Sequence, residues 1–222
     1  AIKFRPLDKG EFTMVIDKHK TSGNFITDTA TEDLMYASQL IAAIPREESR
    51  AILKTLETDI MRLQREQTAA DTNTINGGKH RFVATGSSNV VAPADFARAK
   101  LSLKKANASD NPHWEGVVAE GMTSGMRFVK NVYGFDVYES NYMDLIDAET
   151  LETVDVAGFA ANMFMSADGE FGPFKGAWSR QPRFTSWRDE DREITKYNTS
   201  SRYGLKLYRP ESLVVIPSNT AV

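Results

Sequence analysis

Residues 134–141 read Gly134-Phe135-Asp136-Val137-Tyr138-Glu139-Ser140-Asn141. Phe135, Val137 and Tyr138 favour extended backbone, and Gly134 supplies the turn from which a strand can start. Working outward, similar β-forming stretches lie on both sides: Gly116-Val117-Val118-Ala119 upstream, and Gly158 to Met165 and Gly204 to Ile216 downstream. From Trp114 onward the chain reads mainly as strands.

Ahead of this β-rich half the period changes to that of helices. After Pro93, Asp95 sits in a first turn, Phe96, Ala99 and Leu103 define an apolar face, and Lys100, Lys104 and Lys105 complement the negative end of the dipole before Asn107 stops the helix. Earlier, Thr29 or Thr31 can cap a helix running through Ala43. Glu32 and Asp33 stand in its first turn, and Leu34, Ala37, Leu40, Ile41 and Ile44 share one face. Pro45 has no N–H and is tolerated in a first turn, so the pattern predicts that it ends that helix and opens another reaching about Gln67. Ile52, Leu56, Ile60 and Leu63 form the second helix's apolar stripe. Glu47, Arg50, Lys54, Glu57, Arg62, Arg65 and Glu66 coat its other sides, with Arg62 and Glu66 at pairing distance.

The stretch from Lys3 to Asn24 contains the β-forming run Glu11-Phe12-Thr13-Met14-Val15-Ile16 between Gly10 and Gly23, which predicts an extended β-arm. The chain opens on Ala1 with strand-like sequence from Lys3 to Ile16, so further sequence upstream is expected. Ala69 to Gly78 lacks periodicity and reads as a loop or junction between lobes.

The 222 residues suffice for one large domain or two small lobes, and a chain of this size buries roughly 70% of its extended surface on folding. With 41% hydrophobic and 26% charged residues, the composition argues against disorder, collagen-like repeats and membrane spans. Cysteine is absent, which removes disulfides, thiolate zinc sites and cysteine nucleophiles. No run approaches the roughly 20 apolar residues of a transmembrane helix, and Ala1-Ile2-Lys3-Phe4-Arg5 lacks a signal-peptide core, so no membrane or export role is expected. A formal charge of −3 with both signs interspersed leaves no basic stripe for specific nucleic-acid binding.

The motifs of catalysis are missing. His19, His80 and His113 stand apart from one another and from evident carboxylate partners, which favours structural or surface roles over a metal or general base. No phosphate loop ends in Lys-Ser/Thr, the Gly121 to Gly125 spacing is no dinucleotide fingerprint, and no nucleophile elbow occurs. Arg188-Asp189-Glu190-Asp191-Arg192-Glu193 alternates in sign and reads as a solvated, self-paired turn rather than a cation loop. Phe171, Phe174, Trp178, Phe184 and Trp187, interleaved with Arg180, Arg183 and Arg188, read as core and subunit-interface packing rather than a platform for single-stranded nucleic acid. No catalytic residue, cofactor or metal ligand emerges.

The β-arm, the proline-started long helix, the helix Ala94-Asp95-Phe96-Ala97-Arg98-Ala99-Lys100 and the strand at 134–141 occur in an order that resembles the major capsid proteins of tailed double-stranded-DNA bacteriophages, podovirus-like members in particular. The ending Tyr203-Gly204-Leu205-Lys206-Leu207-Tyr208-Arg209-Pro210-Glu211-Ser212-Leu213-Val214-Val215-Ile216 is similar to that family's final strand pair. The resemblance covers most of the chain from Phe12 to Ile216 and rests on the order of several weak motifs. It implies the α+β Hong Kong 97-like phage capsid fold, with residues 1–27 as the returning part of an E-loop and its strand. Residues 28–86 would be a peripheral lobe with a spine helix, 87–165 an axial lobe, and 166–222 a return to the peripheral lobe. The N-terminal arm, the outgoing half of the E-loop and an axial-lobe strand between Asn107 and Trp114 are not found in the sequence.

The implied function is self-assembly into an icosahedral head shell through hexameric and pentameric capsomers, enclosing the genome without sequence specificity. A scaffolding protein, a portal and a decoration protein are implied partners, with assembly in the host bacterial cytoplasm and final residence in the virion. Contacts between subunits are expected first at Lys3, Arg5, Asp8, Lys9 and Glu11 of the arm and at Arg46, Arg50 and Lys54 of the long helix. An encapsulin-type nanocompartment shell and a tail or decoration protein are the alternatives with structural roles; an enzyme is the alternative from another class.

Overall fold

The computed structural model describes residues 12–67, 74–106, 114–118, 127–140, 142–154, 158–166 and 172–219. In chain order they form β1 (Lys18–Thr27), α1 (Asp28–Asp33), α2 (Ala37–Met61), β2 (Thr74–Ile75), β3 (Gly78–Lys79), α3 (Pro93–Lys105), β4 (Trp114–Val118), β5 (Arg127–Val132), β6 (Phe135–Glu139), β7 (Leu145–Ile146), β8 (Phe159–Ser166), β9 (Phe174–Asp189), β10 (Ile194–Leu207) and β11 (Leu213–Asn219). The strands make a six-stranded sheet of order β11-β8-β4-β6-β5 with β7 on β8, a three-stranded sheet of order β1-β10-β9, and the small pair β2-β3.

The six-stranded sheet is buried on both faces. Phe135, Val137, Phe164, Val214 and Ile216 pack with Ala99 and Leu103 of α3 on one side. Ala161, Met163, Leu213 and Val215 pack on the other with Ile146, Leu151 and Met61 at the end of α2. This two-sided burial is why Leu213-Val214-Val215-Ile216 is a continuous apolar run instead of an alternating one. β6 starts from a turn whose central residues Tyr133 and Gly134 both have positive φ, the primed hairpin geometry that suits strand twist. The Asp95 carboxylate fixes the start of α3: buried, it accepts from the backbone N–H of Thr85 and Ala92 and from the Thr85 hydroxyl at 2.7 Å.

In the three-stranded sheet, β1 and β9 both pair antiparallel with β10, and α2 lies across one face. The turn joining β9 to β10 is the alternating-charge run, closed by Glu193 in the left-handed region at φ 50°. It is self-paired as expected, with Arg188 Nε 3.0 Å from Glu190 Oε1, and Arg188 also reaches Asp28 at 2.6 Å.

Several expectations are corrected. Pro45 does not divide two helices; it lies inside the continuous 25-residue α2, although an interior proline costs about 3 kcal/mol. The contacts of Ile44, Glu48 and Ile52 below it, all buried, outweigh that cost. The earlier helix shrinks to α1, capped by Thr27, whose Oγ1 accepts from the Ala30 N–H at 3.2 Å. The β-arm is displaced: residues 12–17 are not strand, and pairing starts at Lys18. Within the loop expected at 69–78, Thr74–Lys79 is a tight hairpin around Asn76 and Gly77, both at positive φ. Arg62 pairs with Asp144 at 2.5 Å rather than with Glu66, because the helix tightens to a 3-10 turn at Arg62–Glu66, and Glu66 instead accepts from the Leu207 N–H at 2.8 Å. The strands of the 203–216 ending do not pair with each other: β10 belongs to the three-stranded sheet and β11 to the six-stranded one, so the described strands β9, β10 and β11 divide between the two.

Candidate assembly surface

Two buried carboxylates hold α2 on the three-stranded sheet. Counted along the apolar stripe from Ile44 to Leu63, Glu48 and Asp59 occupy positions where an aliphatic side chain is the ordinary choice, and they are only 1% and 4% exposed. Glu48 accepts from the Thr199 hydroxyl at 2.7 Å and from Asn24 at 3.4 Å. Asp59 accepts from the Tyr203 hydroxyl at 2.7 Å, with Lys18 Nζ at 3.2 Å and Lys20 Nζ at 3.6 Å. Burial alone would raise the Asp59 pKa, but the hydrogen bonds from Tyr203 and Lys18 and the charges of both lysines outweigh it and hold the carboxyl below its usual range. Burial together with the bond to Asp59 pushes the Tyr203 phenol upward. Helix, β1 and β10 are thereby pinned at one point. Neither carboxylate was among the expected site residues, and the signal that could have found them was acid at helical spacing within the stripe.

The opposite side of α2 is open. Arg46, Arg50 and Lys54 are exposed there, as the sequence predicts, with Lys54 Nζ 5.6 Å from the centre of the Tyr142 ring. Lys3, Arg5, Asp8, Lys9 and Glu11 lie outside the described residues, as do His113 and Phe171. The other two histidines part ways. His19 is exposed on β1, whereas His80 is fully buried, its Nδ1 3.0 Å from the Leu213 carbonyl, and burial lowers its pKa.

Apolar surface is also left uncovered. Leu34, Met35, Tyr36 and Leu40, expected in part to face a core, are exposed in the single chain, Met35 by 89%. Beside them a groove of about 330 Å³ runs between β1 and α2, lined by Asn24, Phe25, Ile26, Leu40, Ala43, Ile44 and Glu47. β9 is a free edge of its sheet and nearly all of its 16 residues are exposed, with Trp178, Phe184 and Trp187 among them. A long edge strand bearing aromatics is a site of association in physical terms, since its outer N–H and C=O groups have no ladder partner among the described residues. Trp178 and Phe184 do make single ring contacts, with Tyr203 at 5.1 Å and Tyr197 at 6.0 Å, so the expected core packing of this segment is partial.

Among the described residues no group of three His, Cys, Asp or Glu converges on a point that could hold a metal, and no helix is long and apolar enough to cross a membrane. What the geometry offers is uncovered, mixed-charge surface around a helix and sheet.

No family model and no curated protein matches the sequence. Solved structures do match. A chain of Mycobacterium phage Che8 superposes with a TM-score of 0.61 at 17% identity, covering 91% of this chain and 71% of that one. The mature capsid of bacteriophage PhiM1 gives 0.63 at 12% identity, covering 100% and 80%. The holo-SrpI encapsulin complex from Synechococcus elongatus PCC 7942 gives 0.61 at 10% identity, covering 90% and 73%. The molecule therefore has the fold that these phage and encapsulin chains share. More narrowly, it has the α+β Hong Kong 97-like fold of tailed-phage capsid proteins, which encapsulins share.

Proposed function

We propose that this chain is the major capsid protein of a tailed double-stranded-DNA phage, assembling into the icosahedral head shell that encloses the genome. The observation that carries the reading is the extent of the likeness: capsid structures such as that of PhiM1 are matched along the whole of this chain, not over one lobe. Uncovered surface at β9, at the α1–α2 junction and along Arg46, Arg50 and Lys54 supports it, since a subunit that tiles needs two different faces open to its neighbours. In this reading the three-stranded sheet with α2 is the peripheral lobe with its spine helix. The six-stranded sheet with α3 is the axial lobe, and residues 1–27 are the returning E-loop and its strand, whose β1 pairs onto the peripheral-lobe strand β10. The last strand, β11, then belongs with the axial lobe.

Function follows from geometry rather than from a reactive site. Each subunit grips the next across unlike surfaces, and a small rotation per contact closes hexamers and pentamers, then a shell; no enzymatic step enters. A scaffolding protein, a portal and a decoration protein are the proposed partners. Assembly belongs to the host bacterial cytoplasm and the finished shell to the virion. The likeness to the SrpI encapsulin keeps one second reading, a nanocompartment around a cargo enzyme.

Electron microscopy of the purified full chain is the test. Closed icosahedral particles that carry duplex DNA when taken from infected cells are expected. Particles loaded with an enzyme instead of DNA would favour the nanocompartment, and a chain that stays monomeric at every concentration would refute both.

A further inference from the structure

We propose that the uncovered face of the three-stranded sheet carries a basic row that receives the acidic end of a second copy of this chain; the inference rests on the shell reading above. His19, Arg202 and Arg180 are register partners across β1, β10 and β9, so they stand side by side on one face of the sheet. Lys18, Lys20 and Tyr203, which alternate with them, turn to Asp59 and α2 on the other face. His19, Arg180 and Arg202 line, with Asp17, a polar hollow of about 330 Å³, and Arg183 stands one row further along, paired in register with Ser200. Arg180 and Arg202 form no ion pair or hydrogen bond with another described residue. Two guanidiniums side by side, each a planar fork of donors, suit carboxylates presented from outside.

The same sheet carries the complement at its other end. The Asp28 N–H donates to the Glu193 carbonyl at 2.9 Å, which brings α1 against the β9–β10 turn. Arg188 satisfies Asp28 and Glu190 there. Glu32 and Asp33 of α1 and Asp191 and Glu193 of the turn are exposed and have no ion-pair partner among the described residues, with Arg192 as the cation between them. From Arg202 to Ile194 the strand advances eight residues, about 26 Å at ~3.3 Å per residue, several times the Debye length of about 8 Å at physiological salt. The two ends of one molecule therefore neither touch nor feel each other. Unlike, complementary patches at opposite ends of a rigid sheet define a head-to-tail contact, the kind that generates rings.

Three variants of the full chain test this: Arg180→Glu with Arg202→Glu, Glu32→Lys with Asp33→Lys, and all four together. Folding is checked by circular dichroism and the urea midpoint, and assembly by light scattering and electron microscopy at about 0.15 M salt. Each pair of substitutions is expected to leave the fold intact and to cut assembly by about tenfold or more, and the fourfold variant to recover it, because the charges are reversed on both sides of the contact. Pair variants that assemble like the parent, or a fourfold variant no better than its components, would overturn the inference while leaving the shell reading in place. So would a row variant that assembles normally but no longer binds a short DNA duplex that the parent binds, which would make the row a phosphate site. A parent that forms no particles would remove the shell reading itself and this inference with it.

Discussion

Replacing Tyr203 by Phe removes one oxygen from the junction of α2 with the three-stranded sheet and leaves the ring in place. The lost bond is the 2.7 Å contact to Asp59, and hydrogen bonds to a charged group contribute about 1.5–3 kcal/mol. Lys18 and Lys20 remain, but at side-chain exposures of 30% and 37% they are screened, and each contributes at most about 1 kcal/mol. They do not replace a buried donor. The expected loss is therefore about 2 kcal/mol, which at an m-value of about 2 kcal/mol/M moves the urea midpoint of the unassembled chain down by about 1 M.

The acid side of the stability profile carries a second signature. Asp59 has a folded pKa below the 3.8 of an unperturbed carboxyl, so its contribution is complete above that value and disappears as pH falls through the folded pKa. The gap between parent and Tyr203→Phe should accordingly narrow in acid. A cycle with Asp59→Asn should give a coupling energy of about 1 kcal/mol or more. A midpoint unchanged within error, or additive single and double variants, would refute the idea that this contact pins helix to sheet.

Pro45→Ala should stabilise the chain, by about 1–3 kcal/mol, because an N–H is restored within a helix that already continues past this position; thermal unfolding would register it. Phe135→Ala, at a fully buried ring stacked edge-on to Phe164 at 5.2 Å, should cost about 3–5 kcal/mol through cavity formation, read from the urea midpoint. His80 is held neutral by burial while the unfolded chain binds a proton near pH 6.5, so stability should be level above that pH and decline below it, by at most about 1.4 kcal/mol per unit. His80→Gln should remove this slope, and an unchanged slope would count against the assignment.

The sequence is legible wherever near neighbours along the chain set the structure. α3 begins at Pro93 and ends at Lys105 where its proline, Asp95 and its lysines mark it. The strand at 135–139 follows its glycine turn, and the charged run at 188–193 is the turn that its alternating signs describe. Arg46, Arg50 and Lys54 face outward for the same reason, since they alternate with an apolar stripe at helical period. The basic row is not legible in this way: His19, Arg180 and Arg202 are scattered over 183 positions of sequence, and only strand register sets them abreast.

By itself, then, the amino-acid order determined the helix after Pro93, the strand after Gly134 and the charged turn at 188–193, and which residues are apolar enough to seek a core. Tertiary structure alone decided that α2 continues through Pro45, that Glu48 and Asp59 turn inward, that Arg62 takes Asp144 in place of Glu66, and that β10 and β11 enter different sheets. The physical reason is range. Helical period, capping and turn chemistry act over a few residues, whereas the partners that fix these four outcomes lie far off in sequence, Asp144 82 residues from Arg62 and Tyr203 144 from Asp59. A buried charge or an interior proline is tolerated only where such distant groups arrive to satisfy it.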